Sequence, residues 1–400
     1  PSMLVSWCES SWTEPEPDER DGTDSYGSYF RSALHFRQHV NELQHDYIYL
    51  APDQILDGNL LERYPVLYLP FTVAESEALV QKLDAYLQDG GVLMGDLRCL
   101  RTDECGKPYA GPGPLRQLFG VERTDGRVEY GPTTIQVTEA AAGIDLRGKE
   151  LSLYGRESLR VVEGKPLARH ATGEPALIVR PHGKGVAIYL NFSLPEYDVT
   201  TRELIRQILA RAGIERVIVA ENPKGETPPR CYERNTFTRG PIAVHAFIRD
   251  HRRCTDSDPV RFRFGKPTHL YDMRAGRYLG HVAETEAVVP PGQTALYACL
   301  PYQVTKVTVT LPSKVRGGSV LTARASISAG EARPGDHIFH IQVIDPAGNE
   351  VRAYTTNALA PGGQLDLPLS FAWNDPPGAW EVVVRDVLTG VSGEAGFTLE

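Results

Sequence analysis

Along the first 220 residues, short apolar runs alternate with stretches of helical period, the pattern of a parallel sheet wrapped by helices. Met3 to Trp7, Tyr47 to Leu50, Val66 to Leu69 and Gly91 to Asp96 read as strands. Tyr29, Ala33, Phe36, Val40 and Leu43 carry a helix between the first two strands. A second helix is expected from Thr72 to Gly90, with Thr72 and Glu75 at capping-box spacing, Leu79, Leu83 and Leu87 on one face, and Gly90 as its stop. Between Thr124 and Arg180 the period becomes alternating, in Val128 to Tyr130, Thr134 to Val137 and Leu159 to Val162, which adds antiparallel strands at one edge. Ala176 to Leu190 is a hairpin turning at His182-Gly-Lys-Gly185, where glycines permit positive φ. A last helix is expected to be capped by Thr200, to turn Leu204, Ile205, Ile208 and Leu209 inward and to stop at Gly213, and Val217 to Val219 closes the domain.

From Glu221 to Pro229 the chain loses its period and gains prolines, as a linker does. Beyond it every signal is β. Pro241 to Ile248, Val260 to Phe264, His269 to Tyr271, Arg277 to Leu279 and Thr294 to Leu300 suit a small antiparallel sandwich. Val320 to Ser328, Ile338 to Ile344, Leu365 to Phe371 and Trp380 to Val387 suit an immunoglobulin-like one, with a hairpin at Asp345-Pro-Ala-Gly-Asn349 and without the Cys-Trp-Cys arrangement of antibody domains. The fold class is α/β plus all-β, in three domains: 1–220, 221–303 and 304–400.

Four hundred residues exceed one core, consistent with that division. No apolar run approaches the roughly 18 residues that span a bilayer, so no membrane partner is expected. A net charge of -9 without a basic cluster interleaved with aromatics sets nucleic acid aside. The six cysteines are scattered, and Cys99 and Cys105 match neither a zinc knuckle nor CxxC, so free thiols are expected.

Four segments resemble one family: Tyr64-Pro-Val-Leu-Tyr-Leu-Pro70, Ala85-Tyr-Leu-Gln-Asp-Gly-Gly-Val-Leu93, Leu115-Arg-Gln-Leu-Phe-Gly-Val121 and His182-Gly-Lys-Gly185. In order and spacing they resemble the trimerisation domain of family 42 β-galactosidases, a relative of class I glutamine amidotransferases. Leu270-Tyr-Asp-Met-Arg-Ala-Gly-Arg-Tyr-Leu-Gly280 resembles, more loosely, the C-terminal modules of glycosidases. The resemblance implies a flavodoxin-like, amidotransferase-type parallel sheet with an antiparallel extension, followed by two β-sandwich domains. An active amidotransferase places a cysteine on the sharp turn after a central strand. Leu93 stands at the corresponding position, and Tyr189-Leu-Asn-Phe-Ser193 supplies no histidine partner, so the nucleophile position is degenerate. In family 42 the catalytic glutamates sit on an upstream (β/α)8 barrel, which implies an accessory role here and a partner in further copies of this chain, possible trimers included.

Ligands of open α/β sheets bind at the carboxyl ends of strands. The candidates there are Ser6, Trp7, Glu9 and Ser10 after the first strand, Asp96 and Arg98 after the fourth, and Asn191 and Ser193 after the hairpin. Trp7 with Glu9, Asp96 and Asn191 supplies the aromatic platform and polar groups of a carbohydrate site. The alternative reading is that they cap helices and satisfy loops. Glu9 and Asp96 would form the carboxylate pair of a free-standing hydrolase if about 5 Å apart. His35 and His39 lie four apart on a helix without a third ligand, His337 and His340 point to opposite strand faces, and the acidic loop Glu14 to Asp24 lacks the EF-hand register. No metal or cofactor is expected. Trp373, Trp380 and Phe371 would stack on sugars if exposed, while Trp380 reads as core. The leading expectation is an accessory and oligomerising region of a β-galactosidase-like hydrolase, against a free-standing carbohydrate hydrolase or a carbohydrate-binding protein. The compartment is left open.

Overall fold

A computed structural model describes residues 3–6, 27–58, 60–109, 111–196, 198–214, 216, 218–223, 232–249 and 259–400, with side chains from residue 32 onward except at 60 and 126. Trp7, Glu9, Ser10, the acidic loop and most of the expected linker lie outside the described residues. The chain divides into two compact units, Pro1–Arg216 and Val217–Glu400.

The first unit contains β1 (Met3–Ser6), α1 (Gly27–Glu42), β2 (Tyr47–Leu50), α2 (Pro52–Asp57), α3 (Leu60–Arg63), β3 (Val66–Leu69), α4 (Glu77–Asp89) and β4 (Val92–Gly95). It continues with α5 (Gly113–Phe119), β5 (Val121–Gln136), β6 (Ala140–Ala141), β7 (Ile144–Asp145), β8 (Glu150–Val161), β9 (Lys165–Arg169), β10 (Pro175–His182), β11 (Gly185–Leu190) and α6 (Val199–Arg211). Its seven-stranded sheet has the order β2-β1-β3-β4-β11-β10-β9. The first five run parallel, and β10 and β9 join antiparallel.

Both faces of this sheet are covered, which is why its central strands are continuously apolar rather than alternating. Val66, Tyr68, Val92 and Met94 pack in one core with Phe36 and Val40 of α1 and Leu204 and Ile208 of α6. Leu67, Leu69 and Leu93 turn the other way, into a core with Leu79, Leu83 and Leu87 of α4 and Leu118 and Phe119 of α5. The strands expected at the edge form one long antiparallel ribbon, β5 with β8, broken by register shifts between Arg123 and Val128 and between Glu129 and Pro132.

Three local expectations are corrected. The N-cap of α4 is Ser76, which accepts a hydrogen bond from the Leu79 N–H, and not Thr72. Residues 72–75 are drawn out of the helix because Leu100 N and Arg101 N donate to the Thr72 and Val73 carbonyls, and Glu75 N to that of Thr102. The cap of α6 is Asp198, bonded to the Thr201 N–H at 2.6 Å, and not Thr200. In the hairpin turn, Gly183 has φ 58°, whereas Gly185 is required by contact: a Cβ there would lie 2.2 Å from the Gly91 carbonyl oxygen and 2.6 Å from that of Leu87.

The second unit contains β12 (Val219–Glu221), β13 (Tyr232–Arg239), β14 (Ile242–Arg249), β15 (Pro259–Asp272), β16 (Arg277–Val288), β17 (Thr294–Leu300), β18 (Lys306–Thr310), β19 (Lys314–Val315) and β20 (Val320–Ser328). β21 (His337–Ile344), β22 (Thr356–Ala360), β23 (Gln364–Ser370), β24 (Gly378–Asp386) and β25 (Ser392–Leu399) complete it. The strand expected to close the α/β domain is β12, and it pairs instead with β15 in a sheet of order β12-β15-β17-β14-β13, with β16 on β15. Phe247, Phe262, Tyr297 and Leu270 fill the core of that sheet. Two further sheets, β18-β20-β23 and β19-β25-β24-β21-β22, share a core of Leu321, Ala323, Phe339, Ile341, Trp380 and Phe397. Buried in the same unit, His337 Nδ1 meets Asp386 at 2.9 Å and its Nε2 meets the Tyr302 hydroxyl at 2.9 Å, so each polar group has a partner.

Gly185→Ala should therefore destabilise the first unit by about 1–3 kcal/mol through overpacking against backbone, while Lys184→Ala, on an exposed neighbour, should stay within about 0.5 kcal/mol. Urea denaturation of both variants checks this, and equal effects would refute the contact explanation.

Candidate functional site

The carboxyl ends of β3 and β4 are closed by loops in which three residues other than glycine take left-handed backbone conformations: Phe71 at φ 45°, Arg98 at 66° and Leu100 at 58°. Such positions cost of order 1–3 kcal/mol each and persist where the surroundings over-determine them. Here the guanidinium of Arg98 lies 5.3 Å from the Phe71 ring centroid and donates to the Tyr130 hydroxyl at 3.1 Å. Arg123, on β5, donates to the Leu100 carbonyl at 3.2 Å and to that of Cys99 at 2.6 Å, pinning the loop after β4.

Asp96 closes β4 and is fully buried. It accepts from the Tyr68 hydroxyl at 2.6 Å and from the Phe71 N–H, and the Cys99 thiol lies 3.7 Å away. Burial pushes its carboxyl up to about 7, against the hydrogen bonds from Tyr68, Phe71 and Cys99, which favour the anion. Beside it, burial and the Asp96 carboxyl push the Tyr68 hydroxyl well above its ordinary value.

Glu157, on β8, is also fully buried. Arg123 Nε donates to it at 2.7 Å, Arg101 Nε stands 3.8 Å away, and the Tyr189 hydroxyl of β11 reaches it at 3.5 Å. Asn191, just past β11, holds the same segment by its backbone. It accepts from the Glu157 N–H at 2.8 Å and donates to the Glu157 and Pro175 carbonyls at 2.8 and 2.9 Å. Ser193 is buried, its N–H donating to the Tyr154 carbonyl at 2.9 Å.

Beside these groups opens a cleft of about 800 Å³ whose polar wall is Arg98, Arg101, Arg116, Arg123, Arg160 and Glu122. Glu122 accepts from Arg116 Nη1 at 2.6 Å and from Arg160 Nε at 2.9 Å. Burial raises this carboxyl, but the two guanidiniums outweigh it and hold it below its ordinary value. Tyr109 donates to the Glu75 carbonyl at the rim.

Of the residues singled out in the sequence, Asp96, Arg98, Asn191 and Ser193 come to the carboxyl side of the sheet, whereas Trp7 and Glu9 lie outside the described residues. Asp96 and Asn191 have their polar atoms turned into internal bonds. Leu93, expected on an elbow, sits within β4, in register with Leu67 and Ala187 and fully buried. The left-handed positions fall later, at Arg98 and Leu100. His35 and His39 do not converge on a shared ligand site but bond the successive carbonyls of Leu194 and Pro195, at 2.6 and 2.9 Å. Among the described residues no group of three metal-ligating side chains occurs, and Cys99, Cys105 and Cys299 are not joined in a disulfide. Trp373 is 79% exposed, while Phe371 and Trp380 are buried.

Apart from Arg98, the cleft arginines escaped sequence reading because they come from loop, helix and ribbon. A faint signal existed in the opposite charges of Glu122 and Arg160, which face each other across β5 and β8.

Comparison with known proteins agrees with this fold. Residues 33–215 match the β-galactosidase trimerisation domain. That match covers just under half of the chain. The curated relatives include β-galactosidase LacZ of Heyndrickxia coagulans, 25% identical over 239 residues, covering 56% of this chain and 32% of that protein. Another is β-galactosidase YesZ of Bacillus licheniformis, 26% identical over 204 residues, covering 46% of this chain and 28% of the relative. The β-galactosidase from Bacillus circulans sp. alkalophilus shares the fold with a TM-score of 0.58 at 13% identity, over 74% of this chain and 41% of that one. The chain thus spans about a third of the length of these curated relatives.

Two outcomes follow for the trimerisation-type domain. With a folded pKa near 7 and an ordinary value of 3.8, Asp96 holds a proton in the folded state that the unfolded chain has released between those values. It therefore makes stability fall as pH rises through that window, by up to ~1.4 kcal/mol per pH unit. Asp96→Asn should remove that slope, measured by urea denaturation at pH 5 and pH 7.5, and an unchanged slope would show that Asp96 does not titrate there. Glu157→Ala should cost about 3–5 kcal/mol by leaving Arg123 buried without its carboxylate, read as a lower denaturation midpoint.

Proposed function

We propose that this chain is a non-catalytic accessory and oligomerisation region of a β-galactosidase-like glycoside hydrolase acting in carbohydrate metabolism. The observation that carries the reading is the match of residues 33–215 to the β-galactosidase trimerisation domain. The strand order β2-β1-β3-β4-β11, parallel throughout, supports an amidotransferase-type ancestry for the sheet, in keeping with the flavodoxin-like order of doubly wound folds. In this reading residues 221–303 and 304–400 are successive β-sandwich modules, and the catalytic carboxylates belong to a (β/α)8 barrel elsewhere in the full protein.

The chemistry of the sheet's carboxyl side supports the same conclusion. A glycosidase needs one carboxyl group placed to protonate the leaving oxygen and another facing the sugar. Asp96 is sealed from solvent and bonded to Tyr68 and Phe71, and Glu157 is sealed and paired with Arg123. Neither is presented to a substrate, which weighs against a free-standing hydrolase built on Asp96. The chain then acts by holding copies together so that neighbouring protomers complete the environment of the barrel.

Light scattering on the purified chain tests this directly. The expected particle is three times the 44.2 kDa chain mass and keeps that mass on dilution. A monomer at every concentration would refute the oligomerisation role, and turnover of aryl galactosides by the chain alone would refute the accessory role.

A further inference from the structure

We propose that the arginine-lined cleft at the carboxyl ends of β3 and β4 binds a small oxyanion-bearing molecule, its carboxylate, sulfate or phosphate group held by Arg116 and Arg160. The cleft measures about 800 Å³, large enough for a sugar-sized ligand. Among the described residues of its wall the carboxylate is Glu122, and it is shared by two guanidiniums, Arg116 and Arg160. The carboxylate behind the wall, Glu157, is likewise shared, by Arg123 and Arg101. One carboxylate between Arg116 and Arg160 leaves a positive surplus there, and a concave surface concentrates that field.

The donors are also suited in geometry. A guanidinium carries five N–H donors in a planar fork that matches an oxyanion two bonds at a time. Arg116 commits Nη1 to Glu122, and its side chain is 44% exposed; that of Arg160 is 67% exposed, so both can meet a ligand without breaking the buried Arg123–Glu157 pair. Val73, Leu100, Pro108 and Pro112 supply an apolar face for the body of the molecule. The position agrees with the rule that open α/β sheets bind ligands beyond the carboxyl ends of their strands. The left-handed Arg98 and Leu100 on the wall show a loop held in a fixed shape, as pre-organised binding requires. This inference does not depend on the oligomeric reading.

Isothermal titration of the full chain at low salt tests it, with galactose 6-phosphate, galacturonate, inorganic phosphate and sulfate as probes and neutral galactose as the control. Saturable binding of at least one oxyanion, none of galactose, and weakening on addition of potassium chloride are expected. Arg116→Gln and Arg160→Gln should each weaken that binding about tenfold, the loss of a charge-assisted hydrogen bond, with thermal unfolding curves reporting that the variants remain folded. A sugar phosphate or uronate binding more tightly than the inorganic ions identifies an acidic sugar as the ligand class, and equal affinities identify a free oxyanion. No binding by any probe, or binding that both variants leave unchanged, overturns the proposal.

Discussion

A carboxylate cannot remain buried and ionised without a cation and hydrogen-bond donors around it, and Glu157 imposes that condition on the first unit. It lies on β8, its charge partner Arg123 on β5, its hydroxyl donor Tyr189 on β11, and its backbone is clasped by Asn191. The β5–β8 ribbon meets the main sheet through the isolated bridges of Val137 with Ala168 and Tyr154 with Ser193 and through buried Val121, Ile135, Leu151, Leu153 and Leu159, and the Glu157 bonds add its polar tie to β11. The same Arg123 holds the Leu100 and Cys99 carbonyls. One ion pair therefore ties the ribbon to the loop after β4 and to a wall of the cleft.

This arrangement separates what could be read from the sequence from what could not. The strands Val66–Leu69 and Val92–Gly95 were legible because burial on both faces makes every residue apolar. The hairpin at 176–190 was legible for the same reason, with its glycines marking the turn. The existence of α1, α4 and α6 was legible from period, whereas the short α2, α3 and α5 were not expected and the caps were not legible: Thr72 and Ser76 are equally plausible acceptors until the contacts of residues 72–75 with the loop at 100–102 exclude the first. Strand β13, Tyr-Glu-Arg-Asn-Thr-Phe-Thr-Arg, is too polar to announce itself. It forms because β14 offers an open ladder, a tertiary cause.

At the site the divide is sharper. Asp96, Asn191 and Ser193 were found by the positional rule for strand ends, yet the rule says where side chains arrive and not what they meet. Burial decided their role, turning Asp96 toward Tyr68 and Asn191 toward Glu157. The cleft arginines obey no local pattern, since Arg101, Arg116, Arg123 and Arg160 come from four separate segments. Only the packing of the ribbon brings their charges together.

The loops at the carboxyl ends of β3 and β4, and not β4 itself, carry the left-handed residues of this edge. A nucleophile elbow needs a reactive side chain on a left-handed residue directly after the strand. Here Leu93 is held within the strand by ladders on both sides and contributes only to the core. The left-handed residues are Arg98 and Leu100, and what they present is a guanidinium stacked on Phe71 and a carbonyl bonded to Arg123. Backbone strain of order 1–3 kcal/mol per residue is offset there by cation–π contact and charge-assisted hydrogen bonds. The support for this loop runs back through Arg123, which bonds the Leu100 and Cys99 carbonyls, to the buried carboxylate of Glu157.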